Sequence, residues 1–255
     1  MKNLSIRLNM VVAAGLSIFT VLPVLAPLFA KLGLIAPANI IYWIYQWFCH
    51  QRPWRSYHLF DYQYAMDARM MLMFGSMALA AWIIYFRKVK PLRPLSAVIL
   101  AVAFTFPLAI DGIVQGVAEF ISVQQNTLPF YESTNFIRSV TGLLLGTGIG
   151  FAIFPYLNQF KGYTTVRAYV GSIIGNLLIS FILIFIFVFI WNLTSFKYKP
   201  SSLFIDHLQR YPGYNYEITS AGGHITIERI IKEPEEPYIK RAERYGKTEY
   251  LNKEQ

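Results

Sequence analysis

The chain has 255 residues, of which 55% are hydrophobic, 16% aromatic and only 15% charged, against about 25% charged in an ordinary soluble domain. With a mean hydropathy of +0.40, this composition excludes a disordered chain and argues against a soluble enzyme. The single Cys excludes a disulfide framework. The net charge of +9 does not point to nucleic acid: residues 1–195 carry 13 Lys and Arg against 5 Asp and Glu, whereas residues 196–255 carry 10 against 9. The excess lies between apolar segments, where it is a membrane topology signal.

A bilayer core of about 30 Å takes roughly 20 apolar residues in helix. Five stretches meet that demand: about Leu8 to Ala30, Met70 to Phe86, Ser96 to Val117, Ile137 to Phe160 and Ala168 to Phe196. The first is longer than the apolar run of a signal peptide and no convincing small-x-small cleavage site follows, so it reads as a retained helix interrupted by Pro23 and Pro27. The stretch from Ile35 to Phe48 is rich in Trp and Tyr and short for a span, which reads as an interfacial or re-entrant helix. The expected fold is therefore an all-α polytopic membrane protein with about five transmembrane helices, one interfacial helix and a small extramembrane tail.

Lys and Arg mark cytoplasmic loops. Arg87, Lys88, Lys90 and Arg93 crowd one short loop, Lys161 and Arg167 mark another, and Lys2 and Arg7 precede the first span. Five spans put all three regions on one side, with the N-terminus cytoplasmic and the C-terminus outside, as in a multi-pass protein of a cell membrane.

Within the spans, Gly142, Gly146 and Gly150 repeat at four-residue steps, so they line one helix face and let a neighbour approach closely. Packing inside the chain is the first reading and homodimerisation the second. The fifth span, aliphatic and aromatic all round from Leu177 to Trp191, suits a peripheral, lipid-facing helix.

Several polar residues need a reason. Asp111 sits in an apolar run with Gln115 one turn on, and an intramembrane carboxylate normally faces a cavity or a partner. Solvation at a helix end, or pairing with Arg138, is the alternative to a functional role; the expectation is that Asp111 pairs with Arg138 or Arg55 in a shared outer-face pocket. Glu132, Asn135 and Arg138 recur at three-residue steps into the fourth span, either as a cap with an interfacial Arg or as a polar cluster that meets Asp111. Cys49 and His50 suggest a metal, with His58, Asp61 and Asp67 nearby in sequence, but the spacing is not a zinc pattern and structural use is expected, without metal or cofactor. Arg52 and Arg55 equally suit lipid phosphates. The chain has no Gly-rich phosphate loop, nucleophile elbow or His-Glu-x-x-His pattern.

These residues fall into motifs that resemble a bacterial and archaeal membrane family known as domain of unknown function 2085. Cys49, His50, Pro53, Arg55 and Ser56 match Cys-His-x-x-Pro-x-Arg-Ser; Asp111, Gly112 and Gln115 match Asp-Gly-x-x-Gln; Glu132, Asn135, Arg138, Thr141 and Gly142 match Glu-x-x-Asn-x-x-Arg-x-x-Thr-Gly. The resemblance spans roughly residues 40–160. Asp67-Ala68-Arg69-Met70 keeps the Arg of a further motif and lacks its Cys positions, which removes the basis for a metal or redox site. The resemblance implies architecture and assigns no activity.

The expected topology sets all these motifs at the outer face. Cys49, His50, Arg55, Arg69, Asp111, Gln115, Glu132, Asn135 and Arg138 are the candidates for one polar site there. The expected domains are 1–196 in the membrane and 197–255 as tail, with a short helix from Ser201 or Ser202 to about Arg210 and a β-hairpin at 214–231, where two alternating runs flank Ala221-Gly222-Gly223. Three functions compete: a non-enzymatic accessory or binding protein, in which the tail docks other membrane subunits; an enzyme acting on a lipid or small polar substrate; and a small transporter. The first is favoured, because no nucleophile–base pair and no internal repeat is evident.

Overall fold

The computed structural model describes residues 2–49, 55–125, 130–131, 133–158, 162–195, 214–221 and 224–231. The apolar runs form α1 (Lys2–Val21), α2 (Leu25–Lys31), α3 (Ile35–Tyr45), α4 (Ala68–Arg87), α5 (Pro94–Gln125), α6 (Asn135–Ile153) and α7 (Val166–Thr194). Five segments are long and apolar enough to cross a membrane: Leu8–Lys31, Ala68–Arg87, Pro94–Ala118, Asn135–Leu157 and Val166–Thr194. The protein is therefore a multi-pass membrane protein with the five spans expected. Pro23 and Pro27 lack the amide hydrogen that an unbroken helix needs, and the chain bends there through a 3₁₀ turn at Leu22–Val24 between α1 and α2. With 11 residues, α3 is too short to span; it leaves Ile40, Trp43, Trp47 and Phe48 exposed at its end and beyond, as suits an interfacial aromatic belt.

α6 is the central helix. A methyl group at Gly142 would strike the Arg69 carbonyl, and one at Gly146 would strike the Met73 carbonyl and the Ser76 hydroxyl. The glycine face is thus filled by α4 of the same chain and has no room for a second copy. α1 packs along α4, with Trp82 Nε1 donating to Ser17 Oγ at 2.9 Å. α7 is exposed over most of its girth, as expected, but turns a narrow polar line inward: Asn176 Nδ2 donates to the Ser76 carbonyl at 3.1 Å and Arg87 Nη1 to Ser172 Oγ at 2.9 Å.

One element departs from the all-helical expectation. Residues 56–67 form an antiparallel hairpin, β1 (Ser56–Leu59) with β2 (Tyr62–Asp67), inserted between the helices. All four residues of β1 and the central four of β2 are buried. Its turn residues Phe60 and Asp61 both have positive φ, 55° and 66°, as a two-residue primed turn requires. Their amides donate to Thr194 Oγ1 (3.3 Å) and Ser195 Oγ (3.0 Å) at the end of α7. The hairpin thus sits at the ends of the spans, between the start of α4 and the end of α7, with its strands enclosed by protein.

The tail contains a second hairpin, β3 (Tyr214–Ala221) with β4 (His224–Ile231), in continuous register from Tyr214–Ile231 to Ala221–His224. The short helix expected at 201–210 falls outside the described residues.

Candidate functional site

Chain direction separates the two ends of the bundle. The C-terminus of α4 and the N-termini of α5 and α7 meet at the basic loop, where Tyr156 and Tyr169 hydroxyls donate to the Leu92 and Lys90 carbonyls at 2.7 and 2.6 Å. The N-termini of α4 and α6 and the second half of α5 meet at the other end. Asp111 lies about 26 Å along α5 from Pro94 at 1.5 Å per residue, near the far boundary of a hydrocarbon layer about 30 Å thick.

α4 starts where it does because Asp67 caps it: its Oδ1 accepts from the Met70 amide at 2.7 Å. That places Arg69 in the first turn, from which its guanidinium forms an ion pair with Asp111. Asp111 also accepts from Tyr131 Oη at 2.6 Å. Burial first, and then the contact with the Asp111 carboxylate, push the Tyr131 phenol up to about 12, so it stays protonated and donates at neutral pH. The Asp111 side chain is 4% exposed and that of Arg69 22%, so the pair is reachable from the Arg69 side. Pairing lowers the cost of the buried carboxylate.

α6 is capped by Thr134, whose Oγ1 accepts from the Ile137 amide at 3.2 Å. Arg138 therefore lies one turn in, where its Nε donates to the Ser133 carbonyl at 2.9 Å and its Nη2 to Gln115 Oε1 at 3.2 Å. On the hairpin side, Asn135 Nδ2 donates to the Ser56 carbonyl at 3.3 Å. Tyr57 and Ser139 share a short hydroxyl–hydroxyl bond. Gln63 Nε2 donates to Ser56 Oγ at 2.7 Å.

The ion pair corrects the expected partner. Asp111 pairs with Arg69 rather than with Arg138 or Arg55, because the glycine face of α6 draws α4 close enough for the first turn of α4 to reach α5. Gln115 serves Arg138, not Asp111. Arg69, Asp111, Gln115, Asn135 and Arg138 all lie in this region of the bundle, joined by the contacts above and by the short α6 N-terminal turn. Arg55 precedes β1 and is half-buried. His50 and Glu132 lie outside the described residues. Cys49 is buried, and its Sγ accepts from the Asp67 amide at 3.3 Å. Among the described residues no group of three or more His, Cys, Asp or Glu is placed to hold a metal ion. Cys49 and Asp67 are neighbours in space, so a position where the family pattern has Cys is here a helix cap. Tyr131, Ser133, Tyr57 and Ser139 complete the cluster and were not singled out from the sequence. They carry no charge at neutral pH, and only their nearness to Glu132, Arg138 and Arg55 in the chain pointed to them.

These features define a polytopic membrane protein whose polar side chains gather at one end of a small-residue helix core. Residues 49–154 match the model of a family described as predicted membrane protein (DUF2085), the family that the motifs resemble. The chain is also similar to an uncharacterized protein of Methanocaldococcus jannaschii, MJ1492, at 29% identity over 153 residues, 57% of this chain and 90% of that protein. No solved structure matches.

Proposed function

We propose that this is a non-enzymatic binding or accessory protein of the cell membrane, with a ligand site at the outer face formed around Arg69, Asp111 and Arg138. The N-terminus is cytoplasmic, and the tail from residue 197, outside, docks other membrane subunits. The observation that carries the reading is the half-open ion pair: a buried Asp111 held by Arg69 and Tyr131, with Arg69 still partly exposed. A helix bundle does not need such a pair for packing, and intramembrane ionisable residues default to function. An enzyme is less supported, since Asp111 is already engaged by a cation and a phenol and no nucleophile adjoins it among the described residues.

Native mass spectrometry of the protein extracted in mild detergent tests this against Arg69→Lys, which keeps the charge and loses the planar fork. The expected result is a retained small molecule or subunit in the wild type that the variant loses. Retained species that are identical in both would overturn the site. Cysteine labelling at engineered positions in residues 88–93 and in the tail tests the orientation: opposite sides are expected, and labelling of both from the same side would refute it.

A further inference from the structure

The two loops at the basic end of the bundle are joined into one surface. The Thr164 amide donates to the Pro91 carbonyl at 2.9 Å, and Leu92 and Thr164 form a parallel bridge. Pro91 and Leu92 are buried there, and the Tyr156 and Tyr169 hydroxyls hold the Leu92 and Lys90 carbonyls. Five cations stand exposed on this platform: Arg87, Lys88, Lys90, Arg93 and Arg167. We infer that the platform is a binding surface for the anionic headgroups of membrane phospholipids.

Three observations lead there. The first is charge without a counter-charge. No Asp or Glu occurs in residues 1–60, 68–110 or 133–195, which include the described segments that meet at this end. The tail leaves from the opposite end of α7, where the β1–β2 turn is tied. Arg87 gives one donor to a neutral hydroxyl, Ser172 Oγ. The negative charge that complements this surface therefore comes from outside the chain. The second observation is depth. Arg87 ends the span Ala68–Arg87, Arg93 adjoins the span that starts at Pro94, and Arg167 is the second residue of the span that starts at Val166. Their neighbours Phe86, Leu95 and Val166 are 70%, 72% and 44% exposed, and Trp82 stacks on Phe86 at 5.5 Å, as aromatic side chains do where hydrocarbon meets headgroups. A soluble acidic protein or a nucleic acid matches the charge alone, whereas a phospholipid carries its phosphate at this depth with its acyl chains along α4, α5 and α7. The third observation is the joining of the loops. A topology signal needs only Lys and Arg in a loop; it does not need the loop backbones hydrogen-bonded to one another. Fixing them beforehand lowers the ordering cost of binding, and clusters of about four to eight basic residues beside a span attract anionic lipid. The inference is independent of the polar site, which lies at the other end of the bundle.

The test uses the full-length protein, stripped of lipid in detergent at low salt and titrated with phosphatidylglycerol or phosphatidylcholine under native mass spectrometry. The wild type is expected to retain phosphatidylglycerol about tenfold better than phosphatidylcholine. Lys90→Gln/Arg93→Gln is expected to lose most of that preference, several-fold for each charge removed, whereas Lys31→Gln, at the end of α2, should leave it unchanged. Equal retention of the two lipids by the wild type, or an equal loss in the two variants, would overturn the surface. If the double variant does not fold, Arg167→Gln takes its place and is expected to show the single-charge loss. Displacement of phosphatidylglycerol by an equal concentration of inorganic phosphate would assign the platform to free phosphate and refute the headgroup. A protein or nucleic acid retained in place of lipid, and lost in the double variant, would refute it as well.

Discussion

α6 meets α4 and α7 in opposite ways. Toward α4 it presents Gly142, Gly146 and Gly150, and the two backbones approach until a Cβ has no room. Toward α7 it presents Phe136, Val140 and Leu143, and the helices stand apart around a crevice. Apolar side chains gain little by leaving lipid for one another, so close association in a membrane depends on small residues. The two faces of α6 show both outcomes in one molecule: the glycine face makes a close seam, and the bulky face leaves a crevice. α7 has glycines too, Gly171 and Gly175, but nothing lies within 4 Å of where their Cβ atoms would be. A small residue tightens a contact only where a backbone is there to meet it.

The largest effect should come from breaking the seam. Gly146→Val would drive its Cβ into the Met73 backbone carbonyl, which cannot yield, and into the Ser76 hydroxyl, and would add two methyl groups beyond them. Overpacking of this kind costs about 3 kcal/mol or more. Thermal unfolding in detergent should show a strongly destabilised protein, whereas Gly175→Ala should change little, within about 0.5 kcal/mol. Equal losses in the two variants would mean that α6 and α7 are packed alike.

The ion pair depends on the same seam, which carries Arg69 to Asp111. Breaking a fully buried pair costs about 3–5 kcal/mol. The partial exposure of Arg69 lowers the expected loss to about 2 kcal/mol for Asp111→Asn or Arg69→Gln. The double variant should lose less than the two losses added. Additive losses would show that the two side chains are not coupled.

Much of this fold was legible in the sequence, because a span is declared by length and hydropathy and a glycine repeat by its spacing. The tail hairpin was also legible, since its strands alternate and flank Gly222-Gly223. The β1–β2 hairpin was not, for two physical reasons. Both its faces are buried, so Ser56–Leu59 and Tyr62–Asp67 show no polar alternation, and its turn is Phe60-Asp61 where glycine would have announced it. The site was legible as a set of motif residues, including Arg69 and Asp111. The choice of Arg69 over Arg55 or Arg138 as the partner required the distance between α4 and α5, which no single helix period contains.

A smaller effect separates the two sides of the cluster by pH. The Tyr131 phenol is raised from its ordinary value near 10 to about 12 by burial and by Asp111. A group with a raised folded pKa contributes stability that is fully present below the unfolded value and is lost as pH rises through the folded one. Stability should therefore decline between about pH 10 and pH 12, and Tyr131→Phe should flatten that part of the decline. The check is unfolding temperature against pH for the wild type and variant in detergent. Identical slopes would remove Tyr131 from the cluster.

The smallest expected effect lies on the loosely packed side, where α7 is tied down at its end by the β1–β2 turn. Phe60 and Asp61 both occupy the left-handed region, which costs an L-residue roughly 1–2 kcal/mol, less for Asp than for most. A primed two-residue turn favours glycine at its second position. Asp61→Gly keeps the amide that donates to Ser195 Oγ and releases the backbone strain at that residue. The added freedom of the unfolded chain offsets part of the gain, so a stabilisation of about 0.5 kcal/mol is expected. Phe60→Gly should go the other way, because Phe60 packs against the core cluster beneath the hairpin, and losing that packing outweighs the relief. Opposite signs for the two neighbours in thermal unfolding would show that the turn is held in place by Phe60 packing and by the α7 hydroxyls rather than by its own conformational preference. If Asp61→Gly instead destabilised the protein as much as Phe60→Gly, the Asp61 side chain would itself be part of the clamp, and the end of α7 would be tied more firmly than its divergence from α6 implies.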